Sequence, residues 1–336
     1  MEVVHKKKII GMDVLQKTIL SDRYLMISFN AEQLTGMSPG DHIAIYPKNN
    51  EKEVQGLMGQ LKDLPNLEAQ IQLSSKNSPI GTIGQLLTNY YDINALVSEE
   101  DLEFFAKYMG NNKDKSMVGD LTKQPKLFEA LRIRFLDIFE AFPSLALPTI
   151  HFMERLGKIR PRWYSIASST LVQGGKMDLV LSIVKYKLPN GRPRQGLCSR
   201  HLLESLPGDV VNVFHQPKSM FQKWLRVSRP LILVANGSGI APFRGIWQEI
   251  EERDPTRPAL LFFGCQGPWE DLFAEETDGL VQRFTACSRD AELPKKYVQD
   301  VLIDKAELVA RFLVDYRAAL LVCGSVSEII LFVYEI

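Results

Sequence analysis

With 336 residues, 45% hydrophobic and 24% charged, the chain has room for two globular domains and an insertion. Lysine and arginine total 40 and aspartate and glutamate 40, so the formal charge is zero. No global field draws nucleic acid or an anionic membrane, and any basic site must be local. Cys198, Cys265, Cys287 and Cys323 form no C-x-x-C pair and no metal spacing, which speaks against a disulfide framework or a metal site and for a reducing, cytoplasmic setting.

At the N-terminus Lys6-Lys7-Lys8 is not followed by an apolar core of a leader sequence. Residues 1–50 read as strands, and Ile43-Ala44-Ile45-Tyr46 is bounded on both sides by turn chemistry, Pro39-Gly40-Asp41 and Pro47-Lys48-Asn49-Asn50. The period then changes: Val54, Leu57, Met58 and Leu61 fall on one face of a helix. Ser98 caps a second helix with Leu102, Phe105, Ala106 and Met109 on its inner face, and Phe128 to Phe142 reads as a third that stops at Pro143. Residues 51–155 are therefore a helical insertion. Strand character returns at Trp163–Ala167 and at Leu179–Tyr186, so that 1–50 with 156–225 makes one antiparallel β-barrel interrupted by helices. From Pro230 the order is strand (Leu231–Val234), glycine turn, helix (Phe243–Glu252), strand (Ala259–Phe263), which is an α/β nucleotide-binding pattern over 226–336. The most apolar stretch, Ile329 to Val333, is far shorter than the roughly 20 residues that span a bilayer. A soluble protein is expected.

Four constellations carry chemistry. The run R-P-R-W-Y-S-I-A-S-S (160–169) sets Arg162, Tyr164, Ser165 and further serines close together. A bound flavin needs this set: charge for its diphosphate, a ring against its face, and donors at its ring edge. Any one of these residues alone would be an ordinary strand edge. Gly196-Leu197-Cys198-Ser199 opens a helix and adds a second anion-binding turn. Gly237-Ser238-Gly239 lies between a strand and a helix, the place for another phosphate, although glycine turns of this kind are common in α/β folds. Ser288, Arg289, Lys295, Tyr297 and Gln299 combine cations, a hydroxyl, an amide and a ring that could clamp an adenosine 2′-phosphate, where a lone basic cluster would be a solvated loop. Cys323 ends an apolar run; a core cysteine is the common fate, but a thiol at the carboxyl end of a parallel strand would face a ligand crevice.

Taken in order, R-x-Y-S-I-A-S-S, G-L-C-S, G-S-G-I-A-P-F-R-G-I-W-Q, F-F-G-C, S-R-D, K-K-Y-V-Q-D and V-C-G resemble the ferredoxin–NADP reductase superfamily, in its diflavin branch. P-G-D-H-I-A-I-Y-P-K-N-N and F-P-S-L-A-L-P look most like the reductase half of nitric oxide synthase, with the microsomal cytochrome reductases and methionine synthase reductase close behind. The resemblance implies an FAD-binding β-barrel with a helical connecting insertion, followed by a Rossmann-like NADP-binding α/β domain. It implies hydride transfer from NADPH to FAD and delivery of electrons to an FMN-binding flavodoxin-like domain or partner. It assigns Arg162 to FAD phosphate, Tyr164 to the flavin face, Ser165 to the flavin's hydride-accepting edge, and Gly196, Leu197, Cys198 and Ser199 to the pyrophosphate. It places Ser238 at the NADP phosphates, Ser288, Arg289, Lys295, Tyr297 and Gln299 at the 2′-phosphate and adenosine, Cys323 beside the nicotinamide, and Arg23 near NADP. Ser165 and Cys323 are the catalytic candidates. The chain departs from the family at Ser238 (usually threonine), Ala235-Asn236 (glycine–proline), Gln266 (arginine) and Ser325 (aspartate). The family's last strand, its terminal acidic residue and its flavin-covering aromatic have no counterpart before Ile336, so a fragment of a longer protein is expected, with a non-catalytic flavin-binding fragment as the rival reading.

Overall fold

The computed structural model describes residues 8–64, 66, 68–73, 79–217, 221–292 and 294–324. They divide into two compact units: one takes the chain up to Ile45, Trp163–Ile183 and the chain from Leu203 onward, and the other takes Tyr46–Arg162 and Val184–Leu202.

In the first unit, β1 (Ile10–Ser21) and β2 (Tyr24–Asn30) form an antiparallel hairpin, and β3 (His42–Tyr46) follows the turn at Gly40, whose φ of +79° suits glycine. The helices that come next in the chain are α1 (Glu51–Met58), α2 (Ile83–Asn89), α3 (Glu99–Ala106), α4 (Asn112–Thr122), α5 (Pro125–Leu131), α6 (Ile138–Ala141) and α7 (Thr149–Arg155). They make up most of the second unit and enclose Tyr91, Phe105, Phe142 and Phe152, which are all fully buried. Ser98 caps α3 as expected, with a reciprocal bond to Asp101. Met109 lies past the end of α3 and bridges to Leu145.

The continuous helix expected over Phe128 to Phe142 does not form. Arg132 adopts the left-handed conformation (φ +48°) and ends α5. Arg134 then turns inward, forks onto Asp137 at 2.8 and 2.9 Å and reaches Asn94 at 2.6 Å. A buried guanidinium with several acceptors outweighs the local helical period here.

The remaining strands and helices are β4 (Arg162–Ser165), α8 (Thr170–Gln173), β5 (Lys176–Ser182), β6 (Lys185–Lys187), β7 (Pro193–Gln195), α9 (Leu197–Glu204), β8 (Val210–Gln216), α10 (Gln222–Leu225), β9 (Leu231–Asn236), α11 (Ala241–Arg253), β10 (Ala259–Cys265), β11 (Gln282–Cys287), α12 (Val298–Asp304), α13 (Ala306–Val314) and β12 (Ala319–Cys323). Six strands join in the order β4-β3-β8-β1-β2-β5, and the ring closes where Ile166, just past β4, bridges to Leu179 of β5. Closure removes the free edges of the sheet. The expected strand over Leu179–Tyr186 is two strands, because at Ile183 the chain leaves β5 and donates to the Arg23 carbonyl.

The second sheet has the order β11-β10-β9-β12, with all three pairings parallel. β9 and β10 are near-continuous apolar runs because both of their faces are covered. β9 has β10 on one side and β12 on the other, so the strand order reverses at β9. Ligands of open α/β sheets sit at the carboxyl ends of the strands beside such a reversal.

Candidate functional site

The glycine turn after β9 is forced by what surrounds it. Gly237 has φ +50°, and a Cβ there would lie 2.4 Å from the Tyr24 hydroxyl. A Cβ on Gly239 would lie 2.3 Å from the carbonyl oxygen of Cys323, at the end of β12. The two glycines let a helical turn, Gly237–Ile240, nest between β2 and β12 before α11 begins at Ala241, with Pro242 in its first turn.

A cavity of about 590 Å³ opens over this turn. It is lined by the carboxyl ends of the parallel strands and, from the barrel, by Arg23, Tyr24, Trp163, Tyr164, Ser165 and Ser182. Arg23, Tyr164, Ser165, Ser238, Ser288, Arg289, Lys295, Tyr297, Gln299 and Cys323, all singled out from the sequence, meet here. Arg162, Gly196, Leu197, Cys198 and Ser199 belong to the other unit and are not among the lining residues. Ser325 lies outside the described residues.

Each wall has a local cause. Tyr24 and Ser182 pair across β2 and β5, and the Ser182 hydroxyl meets that of Ser238 at 3.2 Å. Ser288 donates both its N–H (3.1 Å) and its hydroxyl (3.2 Å) to the Cys265 carbonyl, and Arg289 donates its N–H to the Gln266 carbonyl at 2.6 Å. These bonds pin the segment after β11 to the end of β10 and leave the Arg289 side chain exposed at the cavity. The Lys295 ammonium lies 4.7 Å from the centre of the Tyr297 ring. Lys296 is paired with Asp304 at 2.5 Å, whereas among the described residues Arg289 and Lys295 are in no ion pair. Arg23, also on the cavity lining, donates at 3.1 Å to Glu270, whose side chain is 2% exposed. Gln299 stands in the first turn of α12.

In the other unit, the Ser199 hydroxyl is committed to the chain itself. It accepts from Val184 N–H and donates to the Gly196 carbonyl, each at 3.2 Å. The Gly196 N–H, just before α9, is likewise committed, to the Val184 carbonyl at 2.8 Å. Arg162 bonds to the Arg160 carbonyl. Burial raises Asp92 above the usual carboxylate range, against the opposing pull of the Asn94 amide and the Arg162 guanidinium.

Ser168 and Ser169 correct the sequence reading. The sequence offers them as hydroxyls for a ligand, but both are buried. Ser168 accepts from the Asp178 N–H at 2.9 Å, and Ser169 bonds through its N–H to Gln248 and through its hydroxyl to Glu249. The motif anchors α11 instead. A group that the sequence analysis missed does the same. Arg244 of α11 donates to the Ala167 carbonyl (3.2 Å), to Asp178 (2.9 Å) and to Glu276 (2.8 Å). Burial works against its charge, but Glu276 and Asp178 outweigh it and hold the guanidinium above its ordinary pKa.

The Cys323 thiol is half-buried at the end of β12, and burial pushes its pKa up to about 11. A raised thiol pKa depletes the thiolate at any lower pH, and the thiolate is the nucleophile. Alkylation of Cys323 at pH 8 is expected to run about a hundredfold slower than that of an ordinary thiol, two pH units of difference. The rate should climb about tenfold per pH unit until it levels near 11, as read by mass spectrometry of the 323-containing peptide. A plateau near pH 9 would show an unshifted thiol.

The cavity volume falls within the range of small-molecule sites. Uncompensated cations, paired hydroxyls, an exposed ring and backbone drawn close by glycine suit a phosphorylated, aromatic ligand. A closed antiparallel barrel joined to a parallel sheet with such a crevice defines a dinucleotide-dependent oxidoreductase. Comparison with known proteins says which. Residues 5–201 match the FAD binding domain family, to which the chain belongs, and residues 233–333 match the oxidoreductase NAD-binding domain. The chain is a flavoprotein oxidoreductase module with FAD and NADPH as its cofactors.

Similar proteins include nitric oxide synthase of Drosophila melanogaster (32% identical, covering 86% of this chain and 24% of the relative) and of Anopheles stephensi (29%, 86% and 26%). Nitric oxide synthase 3 of Sus scrofa is 30% identical, over 96% of this chain and 30% of the relative. The chain thus spans about a quarter to a third of the length of these curated relatives. Ferredoxin-NADP+ reductase from Plasmodium falciparum shares the fold, with a TM-score of 0.58 at 12% identity, covering 100% of this chain and 91% of that one. Among the described residues no helix is long and apolar enough to cross a membrane, and no group of three or more His, Cys, Asp or Glu could hold a metal ion.

Proposed function

We propose that the chain is the NADPH-to-FAD reductase module of a diflavin enzyme of the nitric oxide synthase type, with an FMN-binding flavodoxin-like domain or partner receiving its electrons in a cytoplasmic setting. The observation that carries this is the meeting, in one cavity, of the flavin candidates Tyr164 and Ser165 with the dinucleotide candidates Ser238, Arg289 and Cys323. The reading keeps the division into a barrel (1–50 and 156–225), a connecting insertion (51–155) and an NADP-binding domain (226–336).

When bound, the two cofactors supply the hydride and electron chemistry. The protein aligns and shields them. Tyr164 offers a ring to the flavin face, and Ser165 a hydroxyl to its edge. Arg162 and the turn Gly196–Ser199 at the start of α9 take the FAD diphosphate, and Ser238, backed by the Ser182 hydroxyl, takes a phosphate of NADPH. Ser288, Arg289 and Lys295 read the 2′-phosphate, while Tyr297 and Gln299 read the adenosine, with Arg23 at the rim. Cys323 stands beside the nicotinamide. Such alignment converts an encounter of two ligands into a reaction within one complex.

The test is to purify residues 1–336, record the visible spectrum, and add NADPH without oxygen. Bound yellow flavin that bleaches is the expected result, with slower bleaching and unchanged flavin content in Cys323→Ala. Bound flavin that stays yellow would overturn the reductase reading, and a colourless protein would overturn the assignment of the FAD residues.

A further inference from the structure

Cys265 and Cys287 occupy paired positions at the carboxyl ends of adjacent parallel strands, β10 and β11. Neighbouring strands lie about 4.8 Å apart, and paired residues project from the same face. That spacing is inside the Cα separation a disulfide accepts, about 4.4–6.8 Å. The two sulfurs are 3.7 Å apart, without a bond between them. Cys265 is 8% exposed and lines the dinucleotide cavity, and Cys287 is partly exposed and immediately precedes Ser288. Burial, followed by the neighbouring Cys287 sulfur, holds the Cys265 thiol far above its ordinary pKa.

We propose that Cys265 and Cys287 are a dithiol oxidation site, closed to a disulfide by oxidants of the hydroperoxide class, and that closure weakens dinucleotide binding at Ser288 and Arg289. Cys287, the more exposed residue, attacks the O–O bond as its thiolate: a sulfur–oxygen bond forms, the O–O bond breaks, and an alcohol (or water) leaves with the proton. The Cys265 sulfur then displaces the sulfenic oxygen as water and forms the S–S bond. Two thiols and one hydroperoxide give one disulfide, one alcohol and one water. A thiol reductant reverses the change.

The link to binding is mechanical. To bond, the sulfurs must close from 3.7 Å to about 2 Å, which turns both side chains and ties the two strand ends to the spacing the disulfide prefers. The Cys265 carbonyl is the acceptor for both the N–H and the hydroxyl of Ser288, and the next N–H holds Gln266. Movement of Cys265 therefore moves the segment that presents Arg289. This second step rests on the NADPH reading above, whereas the disulfide itself does not.

The experiment treats flavin-loaded wild type and Cys287→Ala with hydrogen peroxide, maps the disulfide by non-reducing peptide mass spectrometry, and measures NADPH affinity before and after. A 265–287 link in the wild type, absent from Cys287→Ala and removed by dithiothreitol, is expected. With it should come roughly a tenfold loss of NADPH affinity, the size of one lost charge-assisted contact. Oxidation that stops at sulfinic acid, or that links other cysteines, would overturn the site. A 265–287 link with unchanged NADPH affinity would overturn the coupling. A wild type that forms the link on oxidation but binds no NADPH even when reduced would leave the disulfide standing and overturn the functional reading instead.

Discussion

Arg244→Met is expected to destabilise the protein by about 3–5 kcal/mol, the cost of breaking a buried ion pair from one side. The reason is what would remain. Asp178 is completely buried and is served by Arg244 at 2.9 Å, by the Ser28 hydroxyl at 2.6 Å and by Lys176 at the longer distance of 3.4 Å. Methionine fills much of the volume of the arginine stem but leaves that carboxylate short of its main cation. It also removes the donor to the Ala167 carbonyl and the fork onto Glu276. Arg244→Met/Asp178→Asn should then be more stable than Arg244→Met alone, because the buried charge is gone while the Ser28 contact can persist. Chemical denaturation of the set checks this. A single variant within about 1 kcal/mol of wild type, or a double variant no better than the single, would show that the network is incidental. Arg244 also bears on the site, since Ala167 lies two residues beyond Ser165 and the α11 that carries Arg244 begins at the glycine turn.

How far such features could be read beforehand depended on whether the cause was local. β9, its turn, α11 and β10 were legible because a strand covered on both faces is a continuous apolar run, and the turn demands glycine. The reason for Gly239 was not legible, because the atom a Cβ would strike belongs to Cys323, far along the chain. β11 was overlooked: it is an edge strand whose Gln282, Arg283 and Thr285 disguise it as a loop, and the partner of Arg283 and Thr285, Asp271, lies outside it. The break after α5 depends on Arg134 finding Asn94, 40 residues earlier, and Arg244 and Asp178 are 66 residues apart. The hydroxyls of the I-A-S-S run looked alike in sequence. Only the closure of the barrel decides that Ser165 borders the cavity while Ser168 and Ser169 turn inward.

Arg289→Ala is expected to remove most of the preference for NADPH over NADH while leaving the flavin bound. Three cations lie along the segment after β11, and Lys296 is already satisfied by Asp304. Arg289 and Lys295 line the cavity with no carboxylate partner among the described residues. A phosphate placed there meets charge that has not been offset, and guanidinium suits phosphate geometry particularly well. The 2′-phosphate is the one group by which NADPH differs from NADH at this point, so losing the guanidinium should weaken NADPH and leave NADH nearly untouched. A hydrogen bond to a charged group contributes about 1.5–3 kcal/mol, a factor of roughly 10 to 150 in the NADPH/NADH ratio of kcat/KM. Because Arg289 is exposed, the factor should shrink as salt is added. Steady-state kinetics with both nucleotides at low and high ionic strength reads this directly. An unchanged ratio at low salt would move recognition of the 2′-phosphate to Lys295 and Ser288. A parallel loss for NADH would mean that Arg289 supports the cavity wall and does not read the phosphate.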